Sequence, residues 1–129
     1  VEGAFMYHTV FSCITASSFP ACMVVCGALW THAAPSDRFG ASGFKTRRAQ
    51  ASEESWSYAH RHLGRTLILL GITLAVFSIA AVMIINQNPY IILLVVEGIQ
   101  VAAFACTGIE TEFALRKNFD SKGHRRPRM

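Results

Sequence analysis

The sequence predicts an all-α integral membrane protein with three transmembrane helices and a cytoplasmic amphipathic helix leading into the second. Three observations predict it. Of 129 residues, 52% are hydrophobic and 16% charged, whereas roughly a quarter are charged in soluble domains. Asp, Glu, Lys and Arg are absent from residues 3–36, 66–96 and 98–109, and about 20 mostly apolar residues suffice to cross a bilayer. All 12 Lys and Arg fall in a central block (Arg38, Lys45, Arg47, Arg48, Arg61, Arg65) or a C-terminal one (Arg116, Lys117, Lys122, Arg125, Arg126, Arg128).

The first span is placed near residues 10–30. Its lack of a leading basic residue argues against a secretory signal peptide. Pro20 should kink it, with Thr15, Ala16 and neighbouring helices satisfying the freed backbone groups. The loop 31–63 follows. It contains a turn at "GASGF" and then "SEESWSYAHRHLGR", with Ser52 as N-cap and Glu53 and Glu54 in the first helical turn, where the dipole favours acids. Trp56, Ala59, His60 and Leu63 share one face, with Arg61 and Arg65 on or near the other. Such a helix could rest among headgroups with Trp56 as an anchor. The second span is placed at 64–85, and "NQNPY" supplies the turn to a third at 90–109. A basic tail, 116–129, is expected to lack structure. One membrane domain, 1–129, accounts for the whole chain.

With three spans, the central loop and the tail share one side. Their positive charge makes that side the cytoplasm under the positive-inside rule, with the N-terminus outside.

The order of residues in the central loop carries more than topology. Gly43-Phe44-Lys45-Thr46, then Ser52-Glu53-Glu54-Ser55-Trp56 and Ala59-His60-Arg61, resembles the signature of the SdpI-type family of small bacterial membrane proteins. In that signature G-Y-R-T-P precedes S-E-E-x-W and an Ala-Asn or Ala-His pair. Here Phe44 replaces Tyr, Lys45 replaces Arg, and Arg47 stands where proline is common. The resemblance covers residues 40–116. It implies a helical protein of the bacterial inner membrane whose role follows the immunity protein that names the family: binding or excluding a membrane-active toxin peptide. It points to Gly43, Phe44, Lys45, Thr46, Ser52, Glu53, Glu54, Trp56, His60 and Arg61 as the signature element.

Within the spans, Glu97 and Gln100 stand out, on a stripe continued by Phe104, Thr107 and Thr111. An intramembrane acid is a functional candidate by default. Here a structural hydrogen bond between helices is favoured over proton or ion coupling, with Thr73, Ser78, Ser12 and Thr15 as expected neighbours. Ser18, Cys22 and Cys26 form a small-residue row that suits helix packing better than a zinc site, which wants four ligands. His60, His62 and His124 read as polar interface residues rather than metal ligands. No Ser-His-Asp pattern, phosphate loop, HExxH motif or catalytic carboxylate pair appears, so no enzyme activity, cofactor or metal is expected, and no nucleic-acid partner. The partners expected are the lipid bilayer and either a toxin peptide or a larger membrane complex that this chain would serve as an accessory subunit. A homo-oligomer is a further partner option.

Overall fold

Three long helices and one short one form an antiparallel bundle in the computed structural model, which describes residues 2–36, 38–40, 43–85 and 88–127. Val1, Asp37, Ala41 and Ser42 of the "GASGF" turn, Asn86, Gln87, Arg128 and Met129 lie outside the described residues. The helices are α1 (Glu2–His32), α2 (Arg47–Gln50), α3 (Glu53–Ile84) and α4 (Pro89–Asn118). α1, α3 and α4 are each long and apolar enough to cross a membrane. They run past the predicted spans, because a helix need not stop where the bilayer does. At 1.5 Å per residue the 32 residues of α3 extend about 48 Å, against a hydrocarbon core of about 30 Å.

α1 packs on α3 by backbone contact. A Cβ on Gly27 would stand 2.6 Å from the Gly64 carbonyl oxygen, and one on Gly64 would meet Thr31 Oγ1 at 2.6 Å. Further along, a Cβ on Gly71 would come within 2.9 Å of the Pro20 carbonyl oxygen. Small residues permit close approach where lipid supplies no hydrophobic drive. The row that does this on α1 is Ala16, Pro20, Met23 and Gly27, all buried, while Ser18, Cys22 and Cys26 are exposed. The expected packing row is thus one helical face away from the real one.

Three buried clusters lie along the bundle. Ala49, Trp56, Ala59, Leu115 and Phe119 fill one end. Met23, Leu63 and Leu67 fill the middle. Ala16, Ile92, Leu93 and Val96 fill the other end. Large apolar side chains such as Leu69, Val76, Phe77 and Leu94 point outward, as expected of helices whose solvent is lipid.

Candidate functional site

The loop between α1 and α3 folds over the start of α3 in a series of local bonds. Thr46 caps α2, its hydroxyl accepting from Ala49 N–H at 3.2 Å. Ser52 caps α3 as predicted, and the capping box closes through Ser55 rather than a Glu. Ser52 Oγ accepts from Ser55 N–H at 3.0 Å, and Ser55 Oγ accepts from Ser52 N–H at 3.1 Å. Ser55 is fully buried and also donates to the Ala49 carbonyl at 2.9 Å. Ser55 does not stand out in the sequence as a box partner, because the usual signature places Glu or Gln there.

Trp56, Ala59, His60 and Leu63 do share the buried face, while Arg61 and Arg65 are exposed. Trp56, however, is no lipid anchor. Its side chain lies inside the protein and its indole N–H donates to the Pro35 carbonyl at 2.8 Å, tying the end of α1 to α3. Gly43 sits on this ring with φ +113°, and a Cβ there would fall 2.6 Å from Trp56 Cη2 and 2.9 Å from His60 Nε2. Both the left-handed backbone and the lack of space demand glycine.

His60 is the centre of the element. It is completely buried, with Trp56 and Trp30 ring centroids 4.2 and 5.2 Å away. Phe44 N–H donates to His60 Nε2 at 2.9 Å, so that nitrogen carries no proton. The proton therefore sits on Nδ1, which donates to the Trp56 carbonyl at 2.8 Å. A neutral imidazole thereby holds the loop to the helix, and the pairing needs only the Phe44 backbone, which explains how Phe can stand where Tyr is usual. Lys45, Arg47 and Arg61 are exposed and make no ion pair among the described residues.

The tail, expected to lack structure, docks against this element. After α4, Asp120 N–H donates to the His124 carbonyl, and Arg126 N–H to the Asn118 carbonyl. Gly123 turns with φ +82° against Ser52, whose hydroxyl donates to the Gly123 carbonyl at 2.7 Å. Arg125 pairs with Glu54 at 3.1 Å. Arg48 Nη1 donates to the Phe119 carbonyl at 2.9 Å. Asp120 Oδ1 accepts from the backbone N–H groups of His124 and Lys122. The His124 bond above all holds the exposed Asp120 carboxyl below its ordinary value, even against some desolvation.

Inside the bundle, Gln100 is wholly buried. Its Nε2 donates to the Ala16 carbonyl at 2.7 Å and to Ser78 Oγ at 2.8 Å, joining all three long helices. The first bond has a specific cause. Proline has no N–H, so Pro20 leaves the Ala16 carbonyl without its partner four residues on, and Gln100 supplies one from α4. Glu97, one turn away, is half-buried and its Oε1 has no hydrogen-bond partner among the described residues. The expected partner Ser78 bonds Gln100 instead, and Thr73 is exposed and donates to the Leu69 carbonyl. On the stripe, Gln100, Thr107 and Thr111 are buried while Phe104 is partly open, its ring edge-on to Phe19. His62 faces away from His60 and pairs with Glu110 at 2.7 Å. Among the described residues no three His, Cys, Asp or Glu side chains gather as a metal site.

At the end of the bundle away from the motif, a cavity of about 630 Å³ opens between the start of α1, the end of α3 and the start of α4. Phe5, Val82, Met83 and Ile92 give it apolar walls, with His8, Thr9 and Ser12 along one side.

Three membrane-crossing helices, closed at one end by a loop keyed into a buried His–Trp pair, define a multi-pass helical membrane protein with no soluble domain among the described residues. The chain matches the SdpI/YfhL protein family over residues 37–108, more than half its length, and it belongs to that family. The match takes in the Gly43–His60 element and ends within α4, before the docked tail. No curated protein and no solved structure matches the chain.

Proposed function

We propose that this chain is an immunity-type protein of the bacterial inner membrane, a single domain over residues 1–129, which binds a membrane-active toxin peptide within the bilayer. Family membership supports the class. The 630 Å³ cavity carries the mechanism. With all Lys and Arg at the motif end or in the tail, the positive-inside rule puts the motif in the cytoplasm and the cavity in the outer leaflet. A secreted peptide reaches that leaflet first. The apolar walls would take its apolar side chains, and His8, Thr9 and Ser12 would meet polar atoms it carries into the membrane. Gly43, Phe44, Lys45, Thr46, Ser52, Glu53, Glu54, Trp56, His60 and Arg61 form the cytoplasmic platform in this reading, and no chemical step is required of them.

Deleting the gene and challenging cells with membrane-active peptides from neighbouring strains tests the class. Val82→Trp tests the site, since filling the cavity should abolish protection while the protein still accumulates in the membrane. Full protection by that variant would place binding elsewhere.

The unpartnered Glu97 Oε1 supports a second reading, proton or ion coupling. Glu97→Gln decides it: a folded but inactive variant selects coupling, and a silent one selects a structural role. The exposed Ser18, Cys22 and Cys26 row supports a third, an accessory subunit in a larger complex, which a stoichiometric partner on purification would establish.

A further inference from the structure

A second cavity, of about 220 Å³, lies beside the Trp56–Pro35 hydrogen bond, at the other end of the bundle from the first. It is small and mostly polar. Arg38 contributes a cation, and Glu53 and Ser57 from the first turns of α3 contribute an anion and a hydroxyl. Arg38 is set in place by its own backbone, whose carbonyl accepts from Gln50 Nε2 at 2.8 Å. The Arg38 guanidinium lies 5.0 Å from the Phe39 ring centroid, yet its Nη1 is shut off from solvent and has no hydrogen-bond partner among the described residues. A buried cationic donor in that condition is costly, and a guanidinium suits phosphate oxygens in particular. Glu53 makes no ion pair among the described residues, although Glu54 beside it is paired with Arg125.

The depth of the cavity narrows the ligand. α3 is about 48 Å long, about 18 Å more than the hydrocarbon core it crosses. Its first turns, with Glu53 and Ser57, therefore project from the hydrocarbon into the headgroup layer. A ligand offering both a phosphate and a cation is abundant there.

We propose that this cavity binds the headgroup of a zwitterionic phospholipid with a primary amine, the Arg38 guanidinium taking the phosphate diester and the Glu53 carboxylate the ammonium. A phosphatidylcholine headgroup carries the same phosphate, but its quaternary nitrogen has no N–H to donate to Glu53. An anionic phosphatidylglycerol headgroup offers Glu53 no cation.

Native mass spectrometry of the full chain in detergent, titrated with phosphatidylethanolamine, phosphatidylcholine and phosphatidylglycerol of identical acyl chains, tests it. Wild type should retain phosphatidylethanolamine about tenfold more tightly than phosphatidylcholine, the effect of one charge-assisted hydrogen bond. Glu53→Gln should weaken phosphatidylethanolamine more than phosphatidylcholine and so narrow that preference. Arg38→Gln should weaken both lipids, and Arg65→Gln, on the exposed face, neither. Circular dichroism of each variant separates lost binding from lost fold. Equal retention of all three lipids, a preference for phosphatidylglycerol, or a preference that survives both Glu53→Gln and Arg38→Gln would overturn the proposal. Tighter binding of soluble phosphoethanolamine than of the lipid would overturn the lipid as the source.

Discussion

Gln100 and Pro20 are 80 positions apart (100 minus 20) and act as one unit. Gln100→Leu should destabilise the bundle by roughly 0.6–1.7 kcal/mol, the range measured for hydrogen bonds between membrane helices. Pro20→Ala restores an N–H to the Ala16 carbonyl, so Gln100→Leu should cost less in that background. A double-mutant cycle on unfolding in detergent measures the difference. Independent, additive effects would mean that Gln100 serves Ser78 alone. Glu97 belongs to the same scale. Under a structural role, Glu97→Leu should loosen the bundle by about 1 kcal/mol or less, read as a fall in melting temperature. The stripe containing Glu97 and Gln100 was legible, because polar residues in an apolar span are conspicuous. Which of them carries the helix contacts was not, because that depends on a carbonyl that proline leaves unpaired on another helix.

At the scale of elements, the motif is a loop held to a helix by backbone contacts. Gly43→Val combines a strained φ, worth about 1–3 kcal/mol, with a collision against Trp56. The variant should accumulate poorly in membranes, and Trp56→Ala should do the same by emptying the buried end. Normal levels and full function of both would reduce the motif to a linker. Ser52→Ala removes a cap worth about 0.5–2 kcal/mol and also the bond to the Gly123 carbonyl. Protease cutting of the tail should therefore quicken in Ser52→Ala and in Gly123→Val alike. Acid offers a further check. Asp120 is held below its ordinary value, so its contribution is present above the normal carboxylate range and is lost as pH falls through the depressed value. Protection of the His124 amide, its exchange relative to a free amide at the same pH, should fall there, and in Asp120→Ala at neutral pH. The Ser52 cap and the Trp56–Leu63 face were readable because capping and periodicity are local. The docked tail was not, because a run of Lys and Arg reads as solvated and Ser52 meets Gly123 from 71 residues away. Trp56 was read as an anchor because nothing local reveals that the Pro35 carbonyl waits for its N–H.

For the molecule as a whole, the toxin reading depends on orientation. In a cysteine-free background, Gly3→Cys should react with an impermeant maleimide in intact cells, whereas Lys122→Cys should react only after lysis. Both positions are exposed, and a side chain added at Gly3 meets nothing within 4 Å beyond its chain neighbours and its own helix backbone. The opposite labelling would turn the 630 Å³ cavity toward the cytoplasm and remove its advantage for intercepting a peptide from outside. The number of spans was legible because charge-free runs are long and unambiguous. The cavity was not, since its lining comes from the ends of three helices that are far apart in the sequence.

The Pro20 gap also has a place in time. A ribosome adds about 5–20 residues per second, so α1 precedes the side chain that completes it by about 4–16 s. During that interval the Ala16 carbonyl must find water, another protein or a translocation channel wall. A nascent chain halted between α3 and Gln100 would hold an α1 with an open acceptor at mid-membrane. Such truncated products should crosslink to the insertion machinery from positions near Ala16, and release should follow once α4 is made.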